Sequence, residues 1–187
     1  MQNPFAPQNL LRLAVVLSLG VTTIILFHHA SGAAVSFQLS TNAFSPGESI
    51  PKTFTCDGLD VSPQLTWNDP PATTQSFALI IDDPDAPAGT WVHWVLYNLP
   101  ISARELAENV PNREQLSNGA HQGRNDFNKF GYGGPCPPPG KPHRYFFKLY
   151  ALDTKLHLKP GAIKADVERA MQDHIRAQSQ LIGLYSR

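Results

Sequence analysis

The stretch DPDAPAGTWVHW, Asp83–Trp94, begins as a turn punctuated by Pro84, Pro87 and Gly89 and runs directly into a strand of aromatic and branched side chains. Proline presets φ and glycine tolerates positive φ, so the first half is a tight turn with a mechanism. The second half has the composition of a packed strand. GPCPPPGKPHRYFF, Gly134–Phe147, repeats the arrangement. Ionisable side chains stand at both junctions: Asp83, Asp85 and His93 in the first stretch, His143 and Tyr145 in the second. Groups held between a stiff turn and a stiff strand keep one geometry. The pattern predicts a preorganised pocket for a small anion.

Working outward, Val35–Thr41 alternates and reads as a first strand, Gln64–Trp67 as a short one, and the apolar run Ser76–Asp82 as a central one. In Trp91–Asn98, period two places Trp91, His93, Val95 and Tyr97 on one face and Val92, Trp94 and Leu96 on the other. Both faces are largely apolar, so this strand is expected to be covered on each side, as is Tyr145–Leu152. Short strands separated by Gly and Pro signals predict a mainly β fold, an antiparallel β-sandwich with Greek-key connections and one or two peripheral short helices. The longer helix is expected over Lys164–Ala177, where Val167, Met171 and Ile175 recur at fourfold spacing, although no Ser, Thr, Asp or Asn cap precedes it. Ala103–Asn109 reads as a single short turn. Pro111–Lys141 reads as a long connection, and long connections in compact domains are commonly functional.

The 187 residues include fifteen basic and fifteen acidic side chains, so no charge surplus argues for nucleic acid. Seventeen prolines and thirteen glycines fit a turn-rich β architecture better than a helical bundle. Residues 1–34 differ in kind. Arg12 is their single charge, Leu13–Phe27 is apolar or small, and Ala30-Ser31-Gly32-Ala33-Ala34 follows. This is the layout of a secretory signal peptide cut after Ala33 or Ala34. The alternative is an uncleaved membrane anchor through residues 10–27, although the run is short beside the ~20 residues of a spanning helix. Either reading puts a single domain, residues 35–187, outside the cytoplasm, periplasmic or secreted.

His93, alone in an apolar strand, is by itself as compatible with a core histidine as with a ligand. His143 and Tyr145 share a face by the period of two. Together these side chains and a Gly-rich turn offer imidazole, hydroxyl and backbone donors to a phosphate-like anion. The carboxylates would fix a histidine tautomer or meet the amine of a zwitterionic head group. No HExxH, paired CxxC or His-x3-His spacing supports a metal site, and no cofactor motif occurs. Asp83 and Asp85 are separated by Pro84, which suits a turn better than a hydrolase carboxylate pair, and no GxSxG elbow or Walker loop is present. The residues describe a binding protein rather than an enzyme.

These words, with FTCDGLDVSPQLTW at Phe54–Trp67, NDF at Asn125–Phe127, GYGGPCPP at Gly131–Pro138 and LIGLYSR at Leu181–Arg187, resemble the phosphatidylethanolamine-binding protein family, also called the Raf kinase inhibitor protein family, in its prokaryotic branch. The resemblance implies an anion pocket lined by Asp83, His93, Gly134, Pro135, His143 and Tyr145, with Asp85, Pro87 and Trp91 at its rim. It implies phosphate or phosphoethanolamine-like ligands, and protein partners such as a protease or a kinase. Three function classes follow: a phosphate or phospholipid head-group binding module, a protease or kinase inhibitor working through surface loops, and an unrecognised hydrolase. Cys56 and Cys136, the only cysteines, both fall in these shared words, which implies that they approach each other. A disulfide and two neighbouring buried thiols are both compatible with that.

Overall fold

A computed structural model describes residues 36–187. The signal-peptide or anchor segment, residues 1–34, lies outside the described residues.

Among the described residues, eight strands form two antiparallel sheets. β1 (Leu39–Ser40), β2 (Leu65–Trp67) and β5 (Glu105–Leu106) make a small sheet in the order β1-β2-β5. β3 (Ser76–Asp83), β4 (Trp91–Pro100), β6 (His121–Gln122), β7 (His143–Leu152) and β8 (Ile175–Tyr185) make a larger one in the order β6-β4-β3-β7-β8. The main core lies between the sheets. Leu39, Leu65, Trp67 and Leu106 from the small sheet pack with Phe77, Leu79, Ile81, Trp94, Leu96, Phe147, Leu149 and Leu181 from the large one. A second apolar cluster, Ala78, Ile80, Val92, Val95, Tyr97 and Leu152, covers the far face of the large sheet under Leu156, Val167 and Met171. This double coverage is why all eight residues of β3 are buried, and why its sequence reads as a continuous apolar run rather than an alternation.

The one α-helix among the described residues, α1 (Lys164–Met171), has eight residues and stops short of the Ala177 that its periodicity predicts. It starts without a side chain cap on Ile163, and the Asp166 carboxylate instead accepts the Ile163 N–H at 3.2 Å, which satisfies one of the free N-terminal donors. Ile175, fourfold from Met171, begins β8 rather than a last helical turn. β8 pairs with β7 along nearly its whole length, from His143–Tyr185 to Leu152–Ile175. That long-range ladder outweighs the weak local helix preference of Gln172–Ala177. Ala103–Asn109 likewise contains β5 instead of a helical turn, because Glu105 and Leu106 pair with Thr66 and Leu65.

The strict alternation expected for β4 fails at His93. Ile81 faces Trp94 while Asp82 faces Val92, so one step on β3 spans two on β4. His93 is the extra residue of a β-bulge, and the bulge turns its side chain to the same side as Trp94. Val92 joins Val95 and Tyr97 in the outer cluster, and Trp94 joins Leu96 in the inner core. A second irregularity lies at Asn98, at φ 57°. Its side chain amide exchanges two hydrogen bonds with the Leu156 main chain, at 2.8 and 2.9 Å.

Candidate functional site

β3 lies between β4 and β7 and is antiparallel to both, so the end of β3 and the starts of β4 and β7 meet at one edge of the sheet. Two stretches fifty residues apart in the chain thereby converge. Asp83 pairs with Trp91 on one side, and its neighbour Asp82 with Phe146 on the other.

The result is a cavity of about 260 Å³ lined by Asp83, Ala86, Pro87, Ala88, Trp91, His93, Phe127, Cys136, Pro137, Pro138, His143 and Tyr145. Its polar groups are deeply set: Tyr145 is 1 % exposed, His93 2 %, Asp83 3 % and His143 9 %. His143 Nδ1 donates to Asp83 Oδ2 at 2.7 Å. The other oxygen of Asp83 accepts the Asp85 N–H at 2.8 Å, an Asx turn that pins the DPD corner. His93 Nδ1 donates to the Gly133 carbonyl at 2.6 Å, and burial pushes the pKa of this histidine down. The Tyr145 hydroxyl meets no acceptor with good hydrogen-bond geometry, although the Asp83 carboxylate is close enough to act on it. Burial, and then the Asp83 carboxylate, push its pKa well up, so it is an O–H donor at any physiological pH. A buried hydroxyl without a partner costs about 1–3 kcal/mol unless something satisfies it.

The rim is stiff. Arg144 Nε and a terminal guanidinium nitrogen donate to the two carboxylate oxygens of Asp85, at 2.8 and 2.7 Å. This forked hydrogen bonding holds the Asp85 pKa down at about 2. The aromatic wall is a chain of edge-to-face contacts, Trp91 on Phe127, Phe127 on His93, and His93 on Tyr145, with centroids 5.2–5.5 Å apart.

Asp83, His93, His143 and Tyr145 are therefore brought together, with Pro87 and Trp91 also in the wall and Asp85 just outside it. Gly134 and Pro135 are placed differently from the expectation and do not line the cavity. The Gly134 N–H is already donated to Asp60 Oδ1 at 2.6 Å, and the Pro135 carbonyl accepts the Cys56 N–H at 3.1 Å. A Cβ on Gly134 would stand 2.5 Å from Asp60 Oδ1 and 2.6 Å from the Phe54 carbonyl. The glycine thus serves a close crossing of two chain segments and offers no free amide to a ligand. The wall from this turn is made by the next residues, Cys136 to Pro138, and Cys136 is bonded to Cys56.

Ala86, Ala88, Phe127, Pro137 and Pro138 line the cavity without having been assigned to it, and Phe127 is the one large aromatic among them. The NDF word that carries it is organised by Asn125. Its Oδ1 accepts the N–H groups of Phe127 and Lys129 at 3.1 and 3.0 Å, and its Nδ2 donates to the carbonyls of Gly131 and His93 at 3.0 and 3.3 Å. Asp126 then docks on β4, accepting the Val92 N–H at 2.7 Å. Local pattern offers only the turn; which strand it docks on is set by tertiary contact.

The chain is similar to proteins spread across bacteria and archaea. It is 52 % identical over 150 residues to a UPF0098 protein of Methanothermobacter thermautotrophicus, covering 80 % of this chain and 99 % of that one. It is 50 % identical over 166 residues to a UPF0098 protein of Aquifex aeolicus, covering 88 % and 96 %. Among solved structures it resembles a phosphatidylethanolamine-binding protein homologue from Chlamydia trachomatis, with TM-score 0.75, 40 % identity and coverage of 82 % and 99 %. It also resembles E. coli YbcL, a member of the mammalian PEBP family, with TM-score 0.76, 36 % identity and coverage of 81 % and 99 %. The phosphatidylethanolamine-binding protein model matches residues 40–186. With two antiparallel sheets, one helix and a cavity at the shared end of three strands, the chain belongs to the phosphatidylethanolamine-binding protein family.

Proposed function

We propose that this protein is an exported binding protein that holds a phosphate-like anion, free or as a phospholipid head group, in the cavity between β3, β4 and β7, that it catalyses no reaction, and that occupancy of this cavity modulates a protein partner. The observation that carries the reading is the buried Asp83–His143 pair in the cavity wall, with the Tyr145 hydroxyl beside it. His143 is held through Nδ1 by the Asp83 carboxylate, which leaves its Nε2 edge to the anion. Tyr145 adds a second donor, and two convergent donors of this kind suit a tetrahedral oxyanion. Calorimetric titration with phosphate and phosphoethanolamine tests it. His143→Ala is expected to weaken binding roughly ten- to hundredfold, the worth of one charge-assisted hydrogen bond. Equal affinity in wild type and a folded His143→Ala protein would move the ligand site elsewhere.

A second reading, a protease or kinase inhibitor acting through a surface loop, is favoured by Leu59, which is 75 % exposed. Its turn is tied down before Leu59 by the Cys56–Cys136 bond and by Tyr185, whose hydroxyl donates to Asp57 at 2.7 Å, and after it by Asp60, which accepts the Gly134 N–H. A rigid loop presenting one large apolar side chain pays little ordering entropy on binding. Inhibition abolished by Leu59→Ala and untouched by His143→Ala would favour this reading over the first.

A further inference from the structure

Several polar groups of the cavity are already committed within the protein. His93 Nδ1 lies 2.6 Å from the Gly133 carbonyl, which can only accept, so this nitrogen carries the hydrogen. His143 Nδ1 is committed in the same way to Asp83 Oδ2. Nε2 is therefore the nitrogen that each ring leaves for a ligand. Three main-chain donors nearby are spent: the Gly133 N–H on the His93 carbonyl, the Gly134 N–H on Asp60 and the Asp85 N–H on Asp83. Pro87, Pro137 and Pro138 in the wall have no N–H to give.

The two histidines differ in what holds Nδ1. For His143 it is a carboxylate, which compensates an imidazolium. For His93 it is a neutral carbonyl, and the ring is enclosed by the edges and faces of Phe127 and Tyr145. Asp83 and Asp126 are the carboxylates that act on His93, both more weakly than burial, whose net effect is to lower its pKa. His93 thus keeps an unprotonated Nε2, an acceptor, in the cavity.

We infer that His93 makes this cavity selective for oxyanions that carry a proton of their own, such as hydrogen phosphate, over isosteric oxyanions without one, such as sulfate. The inference rests on the anion-site reading above and deepens it. The P–OH of hydrogen phosphate donates to His93 Nε2 while the remaining oxygens accept from Tyr145 and His143. Sulfate has the same shape but presents only acceptor oxygens, so one of them meets the His93 lone pair. A buried acceptor left facing another acceptor is expensive, which is how a small polar difference yields large discrimination.

The test is calorimetry with inorganic phosphate and sulfate at about pH 6.5, where every phosphate species carries at least one hydrogen and sulfate carries none. Phosphate is expected to bind roughly tenfold or more tightly. His93→Gln, whose carboxamide can turn either its oxygen or its NH₂ to the ligand, should collapse that ratio. ¹⁵N NMR of the wild type gives a readout that does not depend on the variant's folding: His93 should remain the neutral Nδ1–H tautomer with phosphate bound. Equal affinity for the two anions, both lost in His143→Ala, would overturn the selectivity and leave the anion site standing, as would a protonated His93 Nε2 in the complex. Absence of binding by either anion to the wild type would overturn both.

Discussion

Asp82 and Asp83 are adjacent, both buried, and serve opposite faces of one sheet. On the outer face Asp82 accepts from Lys148 at 2.8 Å and from Lys164, at the start of α1, at 2.6 Å. Two permanent cations neutralise it and fasten the helix to the sheet. On the inner face Asp83 has one titratable partner, His143, and a cavity beside it. The same residue type, one position apart, is locked between two lysines in one case and stands beside a histidine and an open cavity in the other. What separates them is the surroundings: permanent or titratable partners, and filled or open space.

The comparison breaks most visibly at the lysines. Replacing both Lys148 and Lys164 with Met leaves Asp82 buried without a counter-charge, and should destabilise the fold by about 3–5 kcal/mol while phosphate affinity of the folded protein is little changed. Urea denaturation and calorimetry read the two quantities. A stable double variant would mean that the outer triad is dispensable.

The wall of the inner site depends on a covalent tie. The Cys56–Cys136 bond closes a loop across 80 positions of sequence, and it holds the segment that presents Pro137 and Pro138 to the cavity. Reduction, or Cys56→Ala with Cys136→Ala, should cost about 2–4 kcal/mol, mainly through a less constrained unfolded chain. Unchanged denaturation midpoints with and without reductant would remove the disulfide from the account.

Exchanging each aspartate for its amide sharpens the contrast further. Asp83→Asn keeps an acceptor for His143 Nδ1 and removes the counter-charge, so phosphate affinity should fall roughly tenfold with about 1 kcal/mol lost in stability. Asp82→Asn should lose stability and leave affinity alone. Matching losses in both assays for both variants would erase the distinction between the faces.

The smallest effect is a pH signature at the rim. The Asp85 pKa is held at about 2 by Arg144, below the ordinary carboxylate value of about 3.9. Its folded state therefore binds the proton less readily than the unfolded one. The contribution is complete above about pH 4 and disappears as pH falls through about 2. Because Arg144 is half exposed, it is worth at most about 1 kcal/mol. Melting curves of wild type and Asp85→Asn should differ at about pH 5 and converge near pH 2. A constant difference across that range would assign the variant's effect to packing.

Much of this was legible beforehand. Asp83, His93, His143 and Tyr145 stand at turn–strand junctions, and the turn chemistry alone marks those junctions. β3 shows as a continuous apolar run because both of its faces are covered. Three features were not legible. β8 was mistaken in part for helix because Ile175 lies at helical spacing from Met171, and the competing ladder partner, β7, is over twenty residues away in the chain. The bulge at His93 leaves no mark in period two, since an extra residue shows only against the register of the neighbouring strand. Gly134 looked like an anion-binding turn, and Asp60, which takes its amide, approaches from a loop more than seventy positions earlier.

The sequence by itself determined where the chain turns, which runs are strands, and which ionisable groups stand at their ends, because backbone preference and hydrophobic period are properties of near neighbours. Tertiary structure alone decided that β3 lies between β4 and β7, that Asp82 and Asp83 face different partners, and that His93 turns inward. Those outcomes depend on which distant strands share hydrogen bonds and which side chains share a core, and the energy of such contacts is settled only when the whole sheet has formed.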